Sequence, residues 1–309
     1  MEGLPRHGYL EFLPDSLEVV RRDVNLDKPG EIRDAVRILA EWVKQQKHYI
    51  MKNDIHPVYL ETLIVMSKGS LERAKSVLEK MFTVKALYPH YFELFDVQKE
   101  FQLIKESTYI LPLPKMTEEY YRIMVWKFIG KFSNPKIMES IYRIAFLGQE
   151  YLKRYEYASG GVLVYDLSEC DLMDALTGVN LTELKNCFNI AFESYGFRVK
   201  RVHLITASQI VYTFINFFRH FIKKKIFDRL TVHRSIDELH QLYPKHILPK
   251  DFGGTERSLR ELQDDFLSHL SSEDFRAYMK DMVEAKIDAS QRVSQNDELN
   301  GTFRTLAID

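Results

Sequence analysis

The chain reads as an α/β protein, with an N-terminal helical bundle followed by a mixed sheet whose strands are joined by helices. Three observations predict this. Before residue 95, apolar residues recur at helical spacing. Between 121 and 233, short runs of β-formers alternate with helical stretches. One of those runs, VLVYDL at 162–167, is apolar almost throughout, as a strand covered on both sides of a sheet is. With 309 residues, about two domains are expected.

In chain order, the Pro-Gly pair at 29–30 opens a stretch in which Ile32, Val36, Leu39, Ala40 and Val43 share one helical face. Ser70 is an N-cap for a second helix, with Leu71, Ala74, Leu78, Met81 and Phe82 on its apolar side. Together these make residues 20–95 a helical bundle. Pro112 and Pro114 exclude a helix there, and Tyr121–Phe128 is rich in β-formers. A helix over 135–155, a turn at Gly160-Gly161, the buried strand at 162–167, a helix near 181–196 and a strand near 200–207 follow. The segment 208–230 reads as one long amphipathic helix, and LTVHRS from Leu230 as a last strand. Residues 105–255 are thus expected to form the mixed-sheet domain. From 256 to 309 there are 12 acidic residues against 7 basic ones, read as an acidic tail, helical at first and loose at the end.

Composition narrows the function. Lys+Arg 43 against Asp+Glu 44 argues against a nucleic-acid binder. Two cysteines, a start without an apolar signal region, and no apolar run long enough to span a bilayer lead us to expect a cytoplasmic protein. Nucleophile elbows, phosphate loops, dinucleotide turns and zinc-binding motifs are absent from the sequence, so no catalytic residue, metal or cofactor is expected. His233, His240 and His246 lack metal-ligand spacing and read as structural histidines. Cys170 and Cys187 read as small buried hydrophobes, and Glu169 with Asp171 lacks the partner that acid/base chemistry needs.

The informative segment is TFINFFRHFIKKKIFDRL. Phe214, Phe217, Phe218, Phe221 and Ile222 fall on one helical stripe, with the basic residues largely off it. Between 198 and 229, Arg198, Lys200, Arg201, Arg219, Lys223, Lys224, Lys225 and Arg229 face only Asp228 in charge. An ordinary core helix with a solvated basic side and a surface that docks on anionic lipid both fit this pattern.

GGVLVYDL at 160–167, FRVKRVHLITAS at 197–208, the Phe-rich segment, and the closing HRSIDELHQLYPKHILPKDFGG, with its Leu242-to-Gly254 signature, resemble the CRAL-TRIO lipid-binding family. The likeness is strongest to the branch of alpha-tocopherol transfer protein and cellular retinaldehyde-binding protein, and covers residues 30 to 255. The resemblance implies a sheet flooring a hydrophobic cavity under a helical lid, and a carrier rather than an enzyme. The expected ligand is a tocopherol- or retinoid-like lipid, carried by a protein that associates peripherally and transiently with phosphoinositide membranes. Cavity positions carry over as Tyr142, Ala145, Gln149, Tyr165, Cys187, Ile190, Ala191, Val202, Val211, Phe214, Phe217 and Phe218. The basic cleft carries over as Arg198, Lys200, Lys225 and Arg229, while the basic residue expected from the bundle falls at Ser76, leaving the cleft one short. The chain departs from the family at Glu169, where glycine is common, and at YLETLIVMSKG in the bundle. A phosphatidylinositol or phosphatidylcholine exchange protein, or a lipid-independent scaffold of the same fold, remains an alternative.

Overall fold

The computed structural model describes residues 3–5, 8–132, 134–220, 222–288 and 290, with the side chain of Phe218 outside that set. Helix α1 spans Ser16–Arg22 and α2 spans Glu31–Gln45, burying Ile32, Ala35, Leu39 and Val43 at helical spacing behind Gly30, whose φ is +89°. Helix α3, Pro57–Met66, was not anticipated from the sequence because its apolar residues surround the axis and leave no polar side to mark a period. Its one acid, Glu61, is buried but bonded to Arg21 at 2.8 Å and to the Tyr157 hydroxyl at 2.7 Å. Helix α4, Leu71–Leu87, is N-capped by Ser70 as expected.

The sheet has five strands in the order β1 (Thr108–Met116), β2 (Tyr121–Gly130), β3 (Gly160–Cys170), β4 (Val199–Ile205) and β5 (Leu230–His233). β1 is antiparallel to β2 and the others are parallel. The prolines that exclude a helix at 112 and 114 lie in β1, at the sheet edge, where a missing N–H is tolerated. That edge is closed by other segments. Gln263 accepts from the Ile110 amide, the Glu11 amide donates to the Pro114 carbonyl, and the Tyr9 hydroxyl donates to the Pro112 carbonyl. Buried Arg122 ties the same corner together, paired with Glu156 at 2.5 Å and donating to the Leu113, Pro114 and Glu11 carbonyls.

Helix α5, Pro135–Tyr155, connects β2 to β3. The turn expected at Gly160-Gly161 is instead the first two residues of β3. The two glycines are needed for close approach: a Cβ at 160 would strike the Arg198 carbonyl, and one at 161 would enter the Phe197 ring. Helices α6 (Leu172–Gly178) and α7 (Leu181–Asn189), the latter continued by a π-helical turn over Ile190–Ser194, lead to β4.

The single long helix expected over 208–230 is broken into α8 (Val211–Phe218) and α9 (Lys224–Phe227), with extended backbone at Lys223, ψ 138°. One continuous helix would place Arg219 over Lys223, and like charges at that spacing repel. Breaking it lets Lys223 pair with Glu193 at 2.6 Å. Within the segment expected as an acidic tail, α10 (Leu259–Leu270) and α11 (Glu273–Glu284) bury Leu259, Leu262, Phe266 and Phe275 in the main core. Lys286–Ile287 then pairs with Tyr49–Ile50. Residues 291–309, which complete that expected tail, lie outside the described residues.

On β4 and β5, His203 lies 2.9 Å from His233 and 2.8 Å from the Tyr243 hydroxyl, and His233 is 3.1 Å from Glu238. Burial, then the charges of His233 and Arg201, hold the His203 imidazole down to about 4. The unfolded chain takes up this proton near pH 6.5, so between pH 6.5 and 4 it binds more protons than the fold does, and stability falls as pH falls. Across that window the group contributes up to about 3 kcal/mol. In urea titrations from pH 7 to 4, His203→Gln is expected to flatten this decline by about one proton's slope, and an unchanged slope would contradict the assignment.

Candidate functional site

The parallel strands β3 and β4 expose one apolar face because side chains alternate along them. Leu163, Tyr165 and Leu167 of β3 and Val202 and Leu204 of β4 point the same way and floor a cavity of about 160 Å³. Phe128 on β2 and Cys170 at the end of β3 extend the floor. The walls are Phe132, Met138, Ala175, Val179, Leu184, Phe188 and Phe192, the last two with rings stacked 5.9 Å apart across the start of the π-helical turn. Phe214 and Ile215 of α8, with Ile222, Ile226 and Phe227 of the broken segment and Leu230, complete the lining.

Every lining side chain is hydrocarbon except for the Tyr165 hydroxyl, the Cys170 thiol and the Met138 thioether. Burial raises the Tyr165 phenol far above its ordinary range. Burial, reinforced by Asp171 and Asp174, pushes the Cys170 thiol up to about 12, which keeps it protonated and a poor nucleophile. Glu169 pairs with Lys127 at 2.6 Å and Asp171 caps α6, so both carboxylates serve local structure.

Of the twelve positions expected to line a cavity, Tyr165, Val202 and Phe214 do so. Tyr142 and Cys187 lie behind the wall, each against Tyr91. Ala145 and Ile190 are buried in the core, Gln149 and Ala191 are half-buried, and Val211 packs in a satellite cluster with Leu167, Leu172 and Leu204. Phe217 is on α8 outside the lining. The side chain of Phe218 and all of Phe221 lie outside the described residues. Leu163 and Leu167 were not expected in the lining, and their alternation with Tyr165 along β3 is the signal that could have found them. Ile222 already lay on the Phe-rich stripe read from the sequence, whereas Ile226 and Phe227 were not singled out there.

Three of the four expected cleft residues, Arg198, Lys225 and Arg229, meet around Lys68 beside the cover. Arg198 lies 3.6 Å from Asp23, with one guanidinium nitrogen making no hydrogen bond, and Arg229 donates to the Val199 carbonyl. Lys200 sits over the Tyr121 ring at 4.6 Å. The bundle's contribution is Lys68, at the left-handed turn between α3 and α4 (φ +60°), with Arg73. The Lys68 ammonium is held below its ordinary range chiefly by Lys225, then by burial, Arg198, Arg73 and Arg229, so five cations crowd one place. Sequence comparison by position put this contribution at Ser76, an exposed residue on α4, whereas the turn before the helix supplies it.

Residues 106–254 match the family described as CRAL/TRIO domain. The chain is 25% identical over 277 residues to "Alpha-tocopherol transfer protein-like" of Mus musculus, covering 87% of this chain and 78% of that protein. It is 24% identical over 267 residues to the protein of the same name from Homo sapiens, covering 82% and 74%. Against the crystal structure of Sfh5 the TM-score is 0.44 at 11% identity, over 82% of this chain and 93% of that one. The match to the CRAL/TRIO domain thus runs from the approach to β1 through the Gly253-Gly254 pair.

Proposed function

We propose that the protein carries a small hydrophobic lipid, tocopherol- or retinoid-like, in the cavity and exchanges it at phosphoinositide-bearing membranes. The observation that carries the reading is one short segment, 222–230. Its Ile222, Ile226, Phe227 and Leu230 line the cavity, while its Lys225 and Arg229 belong to the cationic cluster. A charge event on the cluster therefore acts on the cover of the cavity. The names of the similar mouse and human proteins support the same reading.

The energetics suit a carrier rather than a catalyst. Each methylene that leaves water for such a cavity gains about 0.8 kcal/mol, so escape into water is slow and a membrane is the natural exit. Each cation close to an anionic surface contributes about 1 kcal/mol. Docking favours the open cover to the extent that the membrane contacts it better than it contacts the closed one. Among the described residues no helix is long and apolar enough to cross a membrane, so the encounter is at the surface.

Two outcomes are expected. Val202→Phe fills the floor of the cavity and abolishes uptake of fluorescent tocopherol and retinol while thermal unfolding stays within a few degrees of the parent; undiminished uptake would contradict the cavity assignment. Lys225→Ala with Arg229→Ala lowers co-sedimentation with phosphatidylinositol bisphosphate vesicles about tenfold or more and slows ligand transfer to them, leaving neutral phosphatidylcholine vesicles unaffected. Unchanged binding and transfer would overturn the docking role of the cluster.

A further inference from the structure

Five cations make up the cluster beside the cover, and one acid stands against them. Among the described residues, Lys68, Arg73, Lys225 and Arg229 have no carboxylate within 4.0 Å, while Arg198 has Asp23 at 3.6 Å. That pair is loose. The guanidinium nitrogen facing Asp23, Nη1, is covered yet donates no hydrogen bond, since 3.6 Å is too long for one. The Arg198 side chain is mostly covered, whereas that of Asp23 is 42% exposed. The fold brings Asp23 to this place. It follows the last residue of α1, and next to it Val24 is buried with Val20, Val65 and Tyr157. The Val24 carbonyl packs so closely on the turn after Lys68 that a Cβ at Gly69 would strike it. Gly69, at φ +75°, thus lets the end of α1 reach the cluster. Arg198 also adjoins the cover, because the carbonyl of its neighbour Val199 accepts from Arg229.

We propose that Asp23 is a built-in counter-ion that holds the place of a lipid phosphate on Arg198, so that the end of α1 restrains membrane docking until a headgroup displaces it. This rests on the docking role proposed above for the cluster and adds its restraint. A carboxylate set among cations weakens their pull on any other anion. A phosphomonoester brings about 1.5 to 2 negative charges and three acceptor oxygens, so it outcompetes a single carboxylate. It also gives the covered Nη1 the hydrogen bond that Asp23 does not, and a covered N–H without an acceptor is unfavourable. The exchange needs only a rotation of the Asp23 side chain, which is open to water, while Val24 keeps the backbone in place.

The test is flotation of the full chain with phosphatidylcholine vesicles, either neutral or carrying phosphatidylinositol bisphosphate at a few mole per cent. The nearly isosteric Asp23→Asn is expected to raise affinity for the charged vesicles about fivefold, the weight of one charge near such a surface, and to leave neutral vesicles unbound as before. Asp27→Asn makes the same change of charge in the same segment, at an exposed acid paired with no base among the described residues, and is expected to leave the affinity nearly unmoved. In an Arg198→Ala background the gain from Asp23→Asn is expected to shrink below about twofold, because the pair no longer exists to be broken. An unchanged affinity in Asp23→Asn, an equal rise in Asp27→Asn, or an undiminished gain in the Arg198→Ala background would each overturn the restraint. The docking role would still stand in those cases, provided that Lys225→Ala with Arg229→Ala weakens binding. Binding by that double variant equal to the parent's, or no binding of the parent to charged vesicles, would overturn the docking role itself.

Discussion

On one face of the sheet, Leu163, Tyr165, Leu167, Val202 and Leu204 stand opposite helices that cover them without filling the space between. Protein interiors ordinarily close such gaps, since unfilled volume forfeits dispersion contacts on every side. Keeping the gap open requires a rigid frame on the other sides, a cover that does not collapse into it, and polar groups directed elsewhere. The period of two along the strands meets the last requirement, for Asp166 and His203 alternate with the cavity residues and meet Lys127 and His233 instead.

The frame is held by buried polar contacts of long sequence separation. Arg122 with Glu156 joins the sheet edge to the end of α5. Glu61 with Arg21 and Tyr157 joins α1, α3 and the approach to β3, and Lys85 with Glu150 at 2.6 Å, supported by Tyr195, joins α4 to α5. Breaking any such pair strands a charge in the interior, which is much more unfavourable than the pair's own net contribution is favourable. The cover is built differently. Helix α9 has four residues and buries none of them fully, and the Lys223–Glu193 pair that tethers its start is solvent-exposed and weak. On the proposed carrier reading the frame stays while the cover yields, since local opening is easiest where few apolar contacts are lost.

Much of this was legible in the residues. Ser70 announced α4 and the apolar run at 162–167 announced the central strand; of the expected cleft residues, Arg198, Lys225 and Arg229 meet around Lys68, while Lys200 lies over Tyr121. What escaped depended on context. Helix α3 hid because it is apolar all round, β1 because its prolines exclude a helix without revealing that a sheet edge tolerates them, and the core packing of α10 and α11, in a tail read as helical at first, because net acidity says nothing about the buried stripe of Leu262, Phe266 and Phe275. The helix break at Lys223 follows from charge crowding that a periodicity count ignores. Lys68 was missed because a turn residue, rather than one on a helix face, completes the cationic cluster.

The most direct measurement of the central claim is native mass spectrometry of the purified full chain, followed by organic extraction and identification of whatever dissociates. The account predicts one hydrophobic molecule per chain, held through desolvation at low collision energy and released as an intact lipid. A protein of bare polypeptide mass, which also acquires nothing from a lipid extract, would contradict it and leave the gap beneath α8 and α9 as a structural feature alone.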